Sequence, residues 1–373
     1  MAKKVGLLTA GSDSPGINAA IRGFGKAAAS TFDLQVIGYR DGFEGLVTGQ
    51  TYDLGGSALS GLLTLGGTIL GTSRAVPSAM PTDGTTKDRT QEAIETYHAH
   101  ELDALVCIGG KESISAAHAL SQAGLNVIVM PKAADNDIPG TDQAIGFDTA
   151  REIATEAIDR LHSTANATHR IMIVELLGAH SGWLTLGAGM AAGADVILIP
   201  ELPYDTDIIS SAVLARNRSG KNFSIVAVAE SARSKELQAF IERSRKMNER
   251  LREGEKKQEV ESQLENIQKR YTGQTLLLAS RLEEVTNLTS RITILGSLVR
   301  GGTPSASDRL LATQMAEFTA RMVADGNFGC MVSLTDGQLC TKPLEELAGK
   351  THPIPLDHPW ITSARQVGTC LGN

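Results

Sequence analysis

Short runs of apolar residues recur along the chain, and each ends in a glycine or a polar turn before a helical pattern begins. These runs lie at residues 5–11, 34–40, 104–110, 126–132, 170–178, 195–201 and 223–231. Continuous apolar strands that alternate with helices are typical of a parallel sheet covered on both faces. The pattern therefore predicts an α/β fold with doubly wound, mostly parallel sheets.

Four of the loops that follow these runs are rich in glycine, serine or aspartate. They comprise residues 9–16, 109–113, 131–137 and 178–182. Ligands of doubly wound sheets bind at the carboxyl ends of the strands, where such loops begin. We therefore expect these four loops to carry the chemistry of the protein.

The alternation of strands and helices stops at Ser231, where the chain becomes strongly charged as far as about Tyr271. Apolar residues in this segment are spaced by threes and fours, which predicts an amphipathic helical insertion at residues 231–271 that folds back near Gly254. A solvated elaboration and a surface for a hetero-partner are both compatible with this pattern. After the insertion, four prolines favour an extended tail at residues 341–373.

Composition narrows the class of protein. The chain has 373 residues, 42% of them hydrophobic, which is enough for two domain cores. Its net charge of −7 provides no basic field for nucleic acid. No stretch approaches the roughly 20 apolar residues of a membrane span or forms a signal-peptide core, so we expect a cytoplasmic protein. The cysteines are few and lack metal-type spacing, which favours small buried hydrophobes.

Two glycine-rich loops are candidates for phosphate binding. The loop Gly11–Gly16 follows the first strand and opens a helix, so its N–H groups can face an anion. In the loop at residues 65–74 small residues permit close backbone approach, and Arg74 supplies a positive charge. A packing turn and a solvated arginine are the corresponding structural alternatives.

The third loop places Asp135 and Asp137 at the end of a buried strand. Carboxylates in such a position are costly unless they have partners or a task. One of them could take the proton of an attacking hydroxyl group while the other holds a metal or orients that group. A turn or a helix cap is the structural alternative, since Asp and Asn favour both.

In their combination and order, these loops resemble those of the 6-phosphofructokinase family. The resemblance covers most of the chain except the charged insertion and the tail. It implies a fold of two Rossmann-like domains, phosphoryl transfer to fructose 6-phosphate giving fructose 1,6-bisphosphate, Mg²⁺ with ATP, and a homotetramer. The matching stretches are SDSPGINAAIRG (12–23), GGTILGTSR (66–74), PKAADNDIPGTDQAIGFDTA (131–150), GADVILIPE (193–201) and RITILGSLVRGGTPSASDRLLA (291–312).

The resemblance also assigns roles to individual residues. It makes Asp135 the catalytic base toward the sugar 1-hydroxyl and Asp137 its neighbour at the metal and substrate. The residues it assigns to the sugar phosphate, some of them across a subunit interface, are Arg170, Arg291 and Arg300, with Glu230 on the sugar hydroxyls. Those it assigns to the phosphoryl donor are Gly11, Ser12, Arg74, Gly110, Lys111 and Ser113.

The donor half departs from the family pattern. Where the family has Gly-Gly-Asp-Gly-Ser/Thr, residues 109–113 read Gly-Gly-Lys-Glu-Ser. Smaller departures are Ser12 for a glycine, Ala133 for a threonine, Ala179 for an arginine and, on the sugar side, Ser297 for a histidine. Three hypotheses follow: a divergent ATP-dependent enzyme, a user of pyrophosphate, or a catalytically impaired paralogue that binds sugar phosphate as a regulatory or structural subunit.

The sequence also predicts the domain organisation. Residues 1–145 with about 299–340 would form the donor-side domain, and about 146–298, with the insertion, the sugar-phosphate domain. Residues 341–373 would form the tail.

Overall fold

The computed structural model describes residues 2–82, 84–250 and 273–373, and these residues form two compact units. Unit 1 comprises Met1–Arg151 and Ser297–His352, and unit 2 comprises Glu152–Gly296 and Pro353–Asn373. The assignment of a donor role to one unit and a sugar role to the other stays a prediction.

The strands occupy the apolar runs that the sequence singled out, and further strands are present between and after them. In chain order they are β1 (Lys3–Ala10), β2 (Leu34–Tyr39), β3 (Thr51–Asp53), β4 (Met80–Thr82), β5 (Thr85–Lys87), β6 (Ala104–Gly109), β7 (Val127–Pro131), β8 (Ile171–Leu176), β9 (Val196–Leu198), β10 (Ser224–Ala229), β11 (Ser290–Ile294), β12 (Cys330–Thr335) and β13 (Gln338–Pro343).

The helices fall between the strands, as an α/β fold requires. Those in the described residues are α1 (Ile17–Thr31), α2 (Phe43–Thr48), α3 (Thr90–Ala99), α4 (Lys111–Gln122), α5 (Phe147–Thr168), α6 (Trp183–Ala191), α7 (Thr206–Arg218), α8 (Lys235–Arg250), α9 (Gln274–Thr286), α10 (Ala306–Asp325), α11 (Leu344–Leu347) and α12 (Pro359–Gln366).

Each unit is built on one large sheet of its described strands. In unit 1 the order is β13-β12-β7-β6-β1-β2-β3, with β13 and β3 antiparallel to their neighbours at the two edges and the strands between them parallel. In unit 2 the order is β11-β8-β10-β9, and all of the pairs are parallel. The predicted α/β fold with mostly parallel sheets is therefore confirmed.

Burial of the central strands explains their continuous apolar sequences. Every residue of β6, β7 and β10 is buried, because helices cover both faces of each sheet. In unit 1, α1 and α10 pack closely on one face, since a Cβ at Gly23 would lie only 2.9 Å from the Cβ of Ala316. The core thus fixes where the strands end and where the loops begin.

The charged insertion and the tail are described in part. Helix α8 forms the first half of the insertion and buries Leu237 and Ile241, whereas the predicted turn near Gly254 lies outside the described residues. The expectation of an extended tail is wrong for α11 and α12. Pro359 begins α12, where its missing N–H costs nothing because the first turn of a helix has no partner for it.

None of the helices in the described part of the chain is long and apolar enough to cross a membrane. Of the cysteines, Cys107 and Cys330 are buried, Cys340 and Cys370 are half-buried, and all four are free thiols.

The core predicts a contrast between two leucines of unit 1. Leu105 in β6 is fully buried and Leu310 in α10 is 65% exposed. Leu105→Ala should lower the free energy of unfolding by about 2–5 kcal/mol through lost burial and a cavity, and Leu310→Ala by less than about 0.5 kcal/mol. Urea unfolding of both variants checks this, and equal losses would contradict the described core.

Candidate active site

The first phosphate-binding candidate, Gly11–Gly16, lies against the second. Gly11 N donates to Ser73 O at 2.8 Å, and Thr72 Oγ1 donates to Gly11 O at 2.7 Å. Arg74 Nε donates to Ser12 Oγ at 3.0 Å. Gly11 has φ of +88°, a conformation that glycine adopts without steric cost. The two loops therefore form one glycine-rich surface at the carboxyl end of β1.

A buried lysine joins these loops to the end of β7. Lys132 is 3% exposed, and its Nζ donates to the carbonyl oxygen of Ser12. A Cβ built on Gly11 would lie 3.2 Å from Lys132 Nζ and 3.6 Å from Ser113 Oγ. Burial, together with a smaller effect of the positive charge of Arg300, lowers the pKa of Lys132 to about 8. An anion bound here would stabilise the ammonium form.

Helix α4 begins at the same place, immediately after Gly110. Its first residue, Lys111, puts a cation at the positive end of a helix dipole, which is unfavourable unless an anion is near. Lys111 Nζ lies 3.8 Å from Glu112 Oε1, the outer limit of an ion pair, and the Glu112 side chain is 65% exposed. Glu112 therefore projects largely into solvent and does not fill the site.

The two candidate catalytic carboxylates follow β7. Asp135 is half-buried and Asp137 is 8% exposed. Burial and the nearby charge of Asp135 raise the pKa of Asp137 to about 7, against the opposing effect of the Lys111 ammonium. Asp135, Asp137 and Lys111 are thus close enough to interact electrostatically. The charge of a second carboxylate beside the buried Asp137 makes this a place where a bound cation would be stabilised.

The residues present fit a magnesium ion whose remaining ligands come from the substrate and from water. In the described part of the chain, no group of three or more His, Cys, Asp or Glu side chains could hold a metal by itself. Mg²⁺ does not need one, since it is commonly held by one or two carboxylates together with substrate phosphates and waters. Asp137, with Asp135 beside it, supplies that kind of donor set next to a glycine-rich surface.

A buried aspartate holds together the segments that flank the site. Asp308 is fully buried, and its carboxylate accepts hydrogen bonds from Gly146 N at 2.9 Å, Thr149 N at 2.8 Å and Thr149 Oγ1. Its own N–H donates to Ser305 Oγ at 3.1 Å, which caps α10. These bonds satisfy a carboxylate that burial would otherwise disfavour, and they fix the start of α5 against the start of α10.

The residues predicted to bind the sugar phosphate lie in different places. Arg300 belongs to unit 1, where its charge acts on Lys132. In unit 2, Arg170 directly precedes β8, and Arg291 in β11 lies opposite Met172 in β8, so both are at the amino ends of the parallel strands. Glu230 follows β10 at the carboxyl ends of the strands, where its Oε1 accepts from Gly178 N at 3.3 Å. The two ends are separated by roughly 15–20 Å of strand, so the structure does not bring these arginines together with Glu230.

Several residues that shape this site were not among the candidates predicted from the sequence. Lys132 could have been found, since a lysine directly after a buried strand and beside two aspartates is a candidate for a buried charge. Asp308 and Asn136 gave no separate signal, because their partners are brought near by the fold or lie within a loop whose shape the sequence does not specify.

The chain belongs to the phosphofructokinase family, because the phosphofructokinase family model matches residues 4–323. A relative named ATP-dependent 6-phosphofructokinase, from Propionibacterium freudenreichii subsp. shermanii, is 48% identical over 373 residues, which is 100% of both chains. Another of that name, from Spirochaeta thermophila, is 45% identical and covers 99% of this chain and 97% of its own.

Solved structures agree with this membership. The structure of Pichia pastoris phosphofructokinase in the T-state is similar to this chain with a TM-score of 0.76 and 26% identity. The match covers 99% of this chain and 37% of the much longer yeast chain.

The raised pKa of Asp137 predicts a pH-dependent stability effect. Since the folded pKa of about 7 exceeds the ordinary value of 3.8, the wild type loses stability as the pH rises from about 4 to 7. Asp137→Asn escapes that loss, so it should raise the free energy of unfolding at pH 8 by roughly 1–3 kcal/mol. The gain should vanish near pH 4.

Thermal unfolding of the ligand-free protein across this pH range measures the effect, with the exposed Asp33→Asn as the matched control. A gain that is independent of pH, or a loss at pH 8, would contradict the buried, repelled carboxylate.

Proposed function

We propose that the chain is an ATP-dependent 6-phosphofructokinase, which transfers the γ-phosphoryl group of ATP to the 1-hydroxyl of fructose 6-phosphate. The observation that carries the proposal is the cluster in unit 1 of Asp135 and Asp137 with Lys111, beside the glycine-rich surface. ATP is the proposed donor because relatives named for ATP dependence match this chain over its whole length. Fructose 1,6-bisphosphate and ADP are the products.

Asp135 acts as the base in this reaction. Its half-buried carboxylate accepts the proton of the sugar 1-hydroxyl while the sugar oxygen forms a bond to the γ-phosphorus. The bond between the γ-phosphorus and the β,γ-bridging oxygen breaks, and ADP leaves with that electron pair. When bound, Mg²⁺ neutralises charge on the donor phosphates. Asp137 would hold it, and the low exposure of Asp137 keeps that interaction out of bulk water.

The donor phosphates would lie on the surface formed by Gly11, Ser12, Arg74, Gly110 and Ser113. Small residues leave room for phosphate oxygens, and the N–H groups at the start of α4 face the same region. The cations at positions 111 and 132 give this surface a fixed positive charge. In phosphoryl transfer, fixed cations stabilise the charge on the transferring group, so these lysines suit a polyanionic donor.

The geometry of Lys111 and Glu112 bears on the inactive alternative. A rigid ion pair that fills the site would favour a non-catalytic paralogue. Here the pair is loose, at 3.8 Å, and Glu112 is largely exposed, while Lys111 acts on Asp137. The inactive paralogue is therefore not favoured, and the lysine takes over part of the charge neutralisation that an acid-bound metal gives elsewhere in the family.

The sugar phosphate would be held by Arg170, Arg291 and Arg300, with Glu230 on the sugar hydroxyls. Guanidinium groups bind phosphate oxygens in bidentate fashion, which suits this role. Arg170 and Arg291 lie at the amino ends of their strands, and Glu230 lies at the carboxyl ends. One chain therefore cannot place these groups on the same small ligand. We infer that a second copy supplies the two arginines, so the enzyme is a homo-oligomer with closed symmetry, most simply the predicted tetramer.

The insertion remains open as a surface for a hetero-partner. In α8, Phe240 is 46% exposed beside the buried Leu237 and Ile241. The cytoplasmic location and the hetero-partner both stay predictions.

The role of Asp135 is tested by Asp135→Asn, which keeps the shape of the side chain and removes the base. We expect kcat with Mg²⁺, ATP and fructose 6-phosphate to fall by about 10²–10⁴-fold, while Asp33→Asn in the same unit leaves it unchanged. A coupled assay of fructose 1,6-bisphosphate formation measures this. Turnover of Asp135→Asn within twofold of the wild type would contradict the assignment of the base.

The same assay run with ATP, ADP and pyrophosphate identifies the donor. Turnover with pyrophosphate but not with ATP would contradict ATP as donor.

The shared sugar site predicts complementation between inactive variants. Arg291→Ala and Glu230→Ala should each lose activity. Co-expression of the two variants should recover about a quarter of the wild-type activity, because some sites then combine an intact arginine pair from one chain with an intact glutamate from another. Co-expression of Arg170→Ala with Arg291→Ala is the matched control, since both changes affect the same arginine pair. Recovery in the control, or none in the mixture, would contradict the shared site.

A further inference from the structure

The last residue of unit 1, His352, forms hydrogen bonds with the backbone on both sides of Asp137. His352 N donates to Asp137 O at 3.1 Å, and His352 Nδ1 lies 3.2 Å from Asn136 O. A carbonyl oxygen can only accept a hydrogen bond, so Nδ1 must carry the proton. His352 therefore donates twice, once from its backbone and once from its ring.

The residue between the two carboxylates is itself held in an uncommon conformation. Asn136 has φ of +54° and is 1% exposed. Its Nδ2 donates to Asp142 O at 2.9 Å, and its Oδ1 accepts from Ala144 N at 2.8 Å. Left-handed backbone is costly for most residues and is tolerated by asparagine. The side chain thus fixes the turn that lies between Asp135 and Asp137.

The two His352 bonds act on the peptide groups that bracket Asp137. The carbonyl of Asn136 belongs to the peptide before the Asp137 Cα, and the carbonyl of Asp137 belongs to the peptide after it. Since peptide groups are planar, holding both of them fixes φ and ψ of Asp137. The direction in which its carboxylate leaves the backbone is then determined.

The position of His352 is set by packing of the preceding segment. In α11, Leu344 and Leu347 are buried in the core cluster that contains Ile138 and Ala144. Gly140 permits this contact, because a Cβ there would lie 2.7 Å from Leu347 Cδ2. Helix α11 thus lies on the loop that contains Asp137 and delivers His352 to it.

We propose that His352 is a positioning residue for the reaction, acting through these two carbonyl oxygens on the carboxylate of Asp137. The proposal rests on the proposed function of the Asp135–Asp137 loop. When both carboxylates are ionised they repel each other, and a loop without the two bonds can relax to separate them. The His352 bonds oppose that relaxation and keep the pair in one geometry.

The ring contact is tested by a series at one position. His352→Ala removes the ring donor and keeps the backbone N–H. His352→Asn restores a donor near the position of Nδ1, whereas His352→Gln places its donor farther out, near the position of Nε2. The exposed His98→Ala serves as the control outside the site.

We expect His352→Ala to lower kcat on the order of 10- to 100-fold, with KM for fructose 6-phosphate within about threefold of the wild-type value, because misplacing a catalytic group affects turnover more than binding. His352→Asn should recover most of kcat and His352→Gln should not. Hydrogen exchange of the ligand-free protein should be faster in the peptide covering residues 133–146 of His352→Ala than in the wild type.

An unchanged kcat in His352→Ala, or equal kcat values for the Asn and Gln variants, would overturn the inference. If His352→Ala fails to fold, the Asn and Gln pair still decides it. Failure of the proposed function is distinguishable, because the wild type would then show no turnover with ATP and fructose 6-phosphate, whereas faster hydrogen exchange in His352→Ala would still report the lost contact.

Discussion

The candidate site depends on charges buried where β7 ends. Asp137 and Lys132 are 8% and 3% exposed. Burial raises the pKa of Asp137 and lowers that of Lys132, so it favours the neutral form of both side chains. Such burial is costly, and the surrounding structure offsets the cost with specific bonds. Ser12 accepts from Lys132, and Asn136 fixes the turn beside Asp137. A polyanionic donor with its metal would satisfy both charges.

Asp308 extends this arrangement to the elements around the site. Its carboxylate accepts from two backbone N–H groups at the start of α5 while its own residue lies in the first turn of α10. The loop with the two aspartates and the segment that follows Arg300 are thereby tied together. The geometry of the site therefore follows from helix packing in unit 1.

Much of the fold could be predicted from sequence, because each apolar run is long enough to specify a strand and each glycine-rich loop marks its carboxyl end. That Arg170 and Glu230 lie at opposite ends of the parallel strands could also have been inferred, since Arg170 precedes its strand and Glu230 follows its strand. The contacts of Lys132 with Ser12 and of His352 with Asn136 span 120 and 216 residues, and no local pattern specifies such distances. The prolines of the tail misled for a related reason, because Pro359 suits the start of a helix as well as extended chain.

The proposed reaction is tested most directly by ³¹P NMR of purified protein with Mg²⁺, ATP and fructose 6-phosphate. We expect the γ-phosphate signal of ATP to be replaced one for one by that of a phosphomonoester on the sugar C1, with ADP as the other product. Loss of the γ-phosphate to inorganic phosphate, or no reaction at high protein concentration, would contradict it.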